Sequence, residues 1–125
     1  DTSNVVVANN LASMITTYRD DPEGLERASA VARRLRGTKV PAFQDTYGWI
    51  EYRRGNLAEA LPYLEGAAEG LPNDPLAQFH LGMTYVGLGQ VDKARTTLTR
   101  ALEIAGDKPL PQMEIARKAL IELQP

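Results

Sequence analysis

The sequence predicts an all-α fold, an array of antiparallel helical hairpins closed by one capping helix, and three observations carry that prediction. Shifted by 34 residues, the chain meets itself without a gap at Pro41 and Pro75, Gln44 and Gln78, Gly48 and Gly82, Gly55 and Gly89, Ala60 and Ala94, Leu64 and Leu98, Ala67 and Ala101, and Glu69 and Glu103. Within each unit the apolar residues recur at helical spacing, and Gly55 or Gly89 divides the unit in two. Asp21-Pro22 and Asp74-Pro75 punctuate the array, each an N-cap followed by the residue best suited to a first helical position.

Seven helices follow, near 4–18, 22–36, 42–54, 57–70, 76–88, 91–104 and 110–123. The first two form a degenerate hairpin. Leu11-Ala12 matches Tyr47-Gly48, and Ala28, Ala32 and Leu35 match Ala60, Leu64 and Ala67, but the first interval is four residues longer, which places an insertion around Tyr18-Arg19-Asp20-Asp21. The third helix starts at Pro41 and stops at Gly55. Asn56 with Glu59 offers a capping box for the fourth. Pro62 lies inside that fourth helix, so it either bends or begins later. Asp74-Pro75 opens the fifth and Gly89 separates it from the sixth. From Pro109 to Leu123, Met113, Ile115, Ala116, Leu120 and Leu123 keep helical spacing with no second helix after them, as a cap over the last apolar edge would. The expected organisation is one domain over 1–125, with a degenerate unit at 5–40, units at 41–74 and 75–108, and a capping helix at 109–123.

Composition narrows the function. Apolar residues make up 43% and charged residues 24%, which is globular. The net charge is −2, and basic residues are scattered apart from Arg33-Arg34 and Arg53-Arg54, so no track for nucleic-acid phosphates is expected. With no cysteine and a single histidine, His80, the chain lacks thiol chemistry and a usual zinc set. Glu23 with Glu26 and Glu65 with Glu69 read as solvated helix faces, and Gly87-Leu88-Gly89 ends a helix without the strand that a phosphate loop follows. No catalytic residue, metal or cofactor is expected, and the chain reads as a non-enzyme. Apolar runs such as Val5-Val6-Val7-Ala8 fall far short of the roughly 20 residues that span a bilayer, so a soluble protein of cytoplasm or periplasm is expected. The start at Asp1, without Met, reads as a boundary of processing or of a fragment.

With Leu81-Gly82, Tyr85, Gly89, Ala94, Leu98 and Ala101 in one unit and Tyr47-Gly48, Gly55, Ala60, Leu64, Ala67 and Pro72 in the other, the chain resembles the tetratricopeptide repeat. Glu51 departs from the family's usual aromatic, with Tyr52 beside it, and Gly106 stands where the last unit's Pro is usual. Asn9-Asn10-Leu11-Ala12, Asp45-Thr46-Tyr47-Gly48-Trp49 and Tyr52-Arg53-Arg54-Gly55 also look like the C-terminal repeats of long bacterial members, some associated with exopolysaccharide export at the envelope.

The resemblance implies a right-handed superhelix whose first helices line a concave groove for a peptide or protein segment. Carried onto this sequence, the groove residues are Asn9, Ser13 and Thr16, then Asp45, Trp49, Tyr52 and Arg53, then Phe79, Met83 and Val86. Trp49 and Met83 fit either ligand contact or packing between first helices, Asp45 either the groove or a cap, and Arg53 either the groove or solvent. A clamp for a terminal carboxylate, as in some relatives, is not expected: only Asn9 and Arg53 match it, and Asp45 has the wrong sign. The alternative to a peptide-binding adaptor is a structural block of a longer solenoid, or a module that pairs with itself as a homo-oligomer.

Overall fold

A computed structural model describes residues 2–124. Its elements are α1 (Thr2–Tyr18), α2 (Pro22–Ala32) prolonged by a 3₁₀ turn (Arg33–Leu35), α3 (Pro41–Arg53), α4 (Leu57–Gly70), α5 (Pro75–Gly87), α6 (Val91–Ala105) and α7 (Pro111–Glu122), with no strand among the described residues. Neighbours pair as α1 with α2, α3 with α4 and α5 with α6, and α7 packs on both α5 and α6.

The caps follow from the residues at each end. Asp21 accepts a hydrogen bond from the Gly24 amide (3.2 Å) and Asp74 one from Leu76 (3.0 Å), satisfying donors that the first turn leaves open. Gly55 (φ +88°) and Gly89 (φ +75°) take the left-handed conformation that closes α3 and α5. After α3 the Gly55 amide bonds Tyr52 O and the Asn56 amide bonds Glu51 O, the paired bonds of a Schellman turn. The capping box expected from Asn56 and Glu59 does not form. Asn56 Nδ2 instead donates to Glu51 Oε2 (2.7 Å), and Glu59 accepts from the Tyr47 hydroxyl (3.3 Å).

α4 starts at Leu57 and runs through Pro62 to Gly70, so its first turn is not delayed. The acceptor that Pro62 leaves without a helical donor is the Ala58 carbonyl, and both residues lie on the exposed side, where water replaces the missing bond. The buried face carries Ala60, Leu64, Ala67 and Ala68. Small residues meet these leucines inside each hairpin: a Cβ on Gly48 would lie 2.7 Å from Leu64 Cγ, and one on Gly82 2.5 Å from Leu98 Cδ2. Only a bare Cα allows that approach.

The repeated glutamines are explained too. Gln44 Nε2 donates to Thr38 O (3.2 Å), and Gln78 Nε2 to Ala68 O (3.2 Å) and Pro72 O (3.5 Å), so each reaches back to the chain just before its own hairpin. Apolar clusters fill the seams, with Ala8, Ala12, Ala28, Ala32 and Leu35 meeting Tyr47 and Ile50, and Ala60, Leu64 and Ala68 meeting Leu81, Tyr85 and Ala94. No described helix is long and apolar enough to cross a membrane.

Candidate functional site

α1, α3, α5 and α7 stand in a row, each touching the next. Together they wall a cleft of about 430 Å³. α1 contributes Ser13, Thr16 and Thr17; α3 contributes Asp45, Thr46, Trp49 and Arg53; Leu76 and His80 come from α5, and Gln112 from α7. Helical spacing aligns each set on one face.

Trp49 forms an aromatic stack at this face. Its ring lies 4.4 Å from Tyr52 at an interplanar angle of 7° and 4.1 Å from His80 at 23°, with Phe79 tilted against it at 5.9 Å. Partial burial raises the Tyr52 hydroxyl pKa above its ordinary value. His80 Nδ1 is held 2.8 Å from Asp45 Oδ1, which locks the imidazole edge between α3 and α5.

The hydroxyls are bonded within the chain. Thr16 and Thr17 donate to Ser13 O (2.9 and 2.8 Å), which commits their protons to their own helix and leaves oxygen lone pairs as acceptors, whereas the Thr46 hydroxyl is shared between Ala42 O and the Ser13 hydroxyl (3.3 Å each). Arg53 pairs with Asp20 through Nη2 and donates from Nη1 to Thr16 O (3.4 Å). Its side chain is 18% exposed against 98% for Asp20, so the inserted α1–α2 turn carries a solvent-facing carboxylate to a largely sheltered guanidinium.

Of the sequence-derived set, Ser13, Thr16, Asp45, Trp49 and Arg53 line this cleft. Tyr52 is half-buried against Trp49 and the α4–α5 seam. Phe79 is only 3% exposed, and with Met83 and Val86 it packs in a cluster containing Met113, Ala116 and Ala119 of α7. Those three positions repeat the register of Asp45, Trp49 and Tyr52, but α7 covers them, so the open face of α5 shifts by one residue to His80. Asn9 lies outside the cleft lining, and its Oδ1 is buried without a protein partner among the described residues. Thr17, Thr46, Leu76, His80 and Gln112 were not in the sequence-derived set. The 34-residue period identifies equivalent positions but not the rotation of one first helix relative to the next.

A larger cleft, about 750 Å³, opens elsewhere, lined in part by Glu26, Arg33, Arg36, Tyr47 and Glu51. It lies where Glu51 replaces an aromatic. Much of its polarity is satisfied internally: Glu51 accepts from Arg54 (3.1 Å) and Asn56, Arg54 also bonds Glu26 (3.3 Å), and burial foremost pushes the Tyr47 hydroxyl up to about 12. Among the described residues no group of three or more His, Cys, Asp or Glu side chains is placed to hold a metal.

A tetratricopeptide-repeat family profile matches residues 51–118. No curated protein sequence matches the chain significantly. Several solved structures share its architecture. The first tetratricopeptide domain of Spaghetti (RPAP3), bound to the HSP90 peptide SRMEEVD, is 14% identical over 98% of this chain and 92% of that one, with a TM-score of 0.76. The Yersinia enterocolitica type III secretion translocator chaperone SycD is 18% identical over 98% and 85%, with a TM-score of 0.77. The Sgt2 tetratricopeptide domain from Aspergillus fumigatus is 14% identical over 93% and 76%, with a TM-score of 0.72. At these identities the likeness is one of fold.

Proposed function

The chain belongs to the tetratricopeptide-repeat family, and from that premise we propose that it is a non-enzymatic interaction module holding a segment of another protein in its concave cleft. The observation that carries this reading is the partly open Trp49 stack in one cleft with the Thr16 and Thr17 hydroxyls, whose protons are already committed. With Tyr52 and His80 both stacked on it, Trp49 presents a rigid aromatic edge to the cleft at little further cost in side-chain freedom. The acceptor oxygens of Thr16 and Thr17 suit the N–H groups of an extended backbone. The Spaghetti domain, bound to its HSP90 peptide, gives a precedent for this fold as a peptide receptor.

Charge has a smaller part in this recognition. Asp45 is hydrogen-bonded to His80 and Arg53 is paired with Asp20, so each is already tied to a partner within the chain. The net charge of −2 and the scatter of the basic residues along the chain favour a protein over a nucleic acid as partner.

Trp49 is the single tryptophan, so its emission reports on this cleft alone. Peptides selected from a displayed random library are expected to shift that emission, and Thr17→Lys is expected to weaken them about tenfold or more by blocking the wall. Selected peptides that leave the emission unchanged and bind Thr17→Lys equally well would place recognition elsewhere. Turnover by the isolated chain, lost on His80→Ala, would overturn the non-enzymatic reading.

A further inference from the structure

α1 leaves a stripe uncovered. Val7, Leu11, Met14 and Tyr18 are 60%, 43%, 56% and 81% exposed, and spacings of four, three and four residues bring them to one side of the helix. No residue from Thr2 to Tyr18 is charged, whereas the solvated side of a surface helix ordinarily carries charge.

The repeat itself shows what covers such a stripe. Leu11 aligns with Tyr47 and Leu81, which carries Val7 onto Phe43 and Ala77 and Met14 onto Ile50 and Thr84. All of these are buried except Phe43, which is partly so. Phe43, Tyr47 and Ile50 pack with residues of α1 and α2, and Leu81 packs with Ala60, Leu64 and Ala68 of α4. Tyr18 aligns with Arg54, whose Nε reaches back to Glu26 of α2. The register that seats the second hairpin on the first, and the third on the second, is therefore open on the first.

We propose that this stripe is the seat of a further hairpin of the same repeat type, joined ahead of α1 and packed through a second helix patterned like Ala60, Leu64 and Ala68. A second copy of the described fold has no such helix to offer, because Ala28 and Ala32 of α2, Ala60 and Leu64 of α4, and Ala94 and Leu98 of α6 are already buried. Stacking in this register covers the stripe, leaves Ser13, Thr16 and Thr17 at the cleft, and prolongs the row of first helices.

The test fuses a copy of residues 41–74 directly to Val5, the position equivalent to Pro41 and Pro75. The fusion is expected to melt above the 125-residue chain, and one that melts at or below it overturns the proposal. Leu11→Gln and Met14→Glu are expected to lower the melting temperature by about 5 °C or more in the fusion and by about 1 °C or less in the chain alone. Equal shifts in both proteins overturn it. So does light scattering that finds the chain alone to be a dimer which Met14→Glu dissociates, since the stripe then belongs to a second copy.

Discussion

His80 donates its Nδ1–H to Asp45 Oδ1 at 2.8 Å while its ring stacks on Trp49, so one imidazole joins α5 to α3 and frames the cleft. A double-mutant cycle between His80→Ala and Asp45→Ala is expected to show a coupling of about 1 kcal/mol in urea unfolding. Asp45→Asn, which keeps an acceptor, is expected to lose less. Additive single effects would mean the bond contributes nothing to the α3–α5 seam.

Gly82 and Gly89 should respond to alanine for different reasons. At Gly82 the new Cβ meets Leu98 Cδ2 at 2.5 Å, so the gain an exposed helical Gly→Ala would give is reversed into a loss of about 1–3 kcal/mol. Gly89 has open space around it but a φ of +75°, and its substitution costs about 1–2 kcal/mol through the backbone. Leu98→Ala separates the two. Strong coupling to Gly82→Ala and none to Gly89→Ala is the expected result by denaturant midpoint.

Glu51 is 5% exposed and occupies the position equivalent to Tyr85 in the next hairpin. Its carboxylate serves Arg54 and Asn56, so Glu51→Ala should lower stability by about 1–3 kcal/mol by leaving the Asn56 amide and a partly buried guanidinium less well satisfied. Glu51→Gln, which keeps one acceptor, is expected to lose less. Equal losses for the two variants would assign the effect to packing volume instead.

Stability should fall at both extremes of pH. The hydrogen bond from Arg19, foremost, holds the Asp21 carboxyl at about 2, so its contribution is present above the unfolded value of about 3.9 and is lost as pH falls through about 2. Burial, foremost, pushes Tyr47 and Tyr85 to about 12. Their contribution is complete below about pH 10 and disappears as pH rises through about 12. Melting curves against pH should lose part of the acid slope in Asp21→Asn and part of the alkaline slope in Tyr47→Phe. Slopes unchanged in these variants would assign the titrations to other groups.

The helices were legible because their ends are written locally, in Asp21-Pro22, Gly55, Asp74-Pro75 and Gly89. Pro62 left two readings open, and which holds depends on whether Ala58 faces solvent, a tertiary fact. On α1 and α3 the family resemblance led to Ser13, Thr16, Asp45, Trp49 and Arg53 at the cleft, but it also put Asn9 and Tyr52 there and passed over Thr17 and Thr46. On α5 the cleft was not legible, since Phe79 and His80 are adjacent and only the placement of α7 decides which is covered. The α1–α2 insertion was visible as added length, but its delivery of Asp20 to Arg53, 33 residues onward, was not.

Gln44 and Gln78 bond across the boundary between units, each to carbonyls of the chain behind it. A unit of this array is thus complete only in the company of its predecessor, and the period has a preferred phase for recombination. Crossovers that exchange whole units at the 74/75 junction hand each glutamine an equivalent set of acceptors. A deletion inside the Leu71–Asp74 turn removes the Pro72 acceptor and the Asp74 cap together, so the array should lengthen and shorten by whole periods far more readily than by fragments of one.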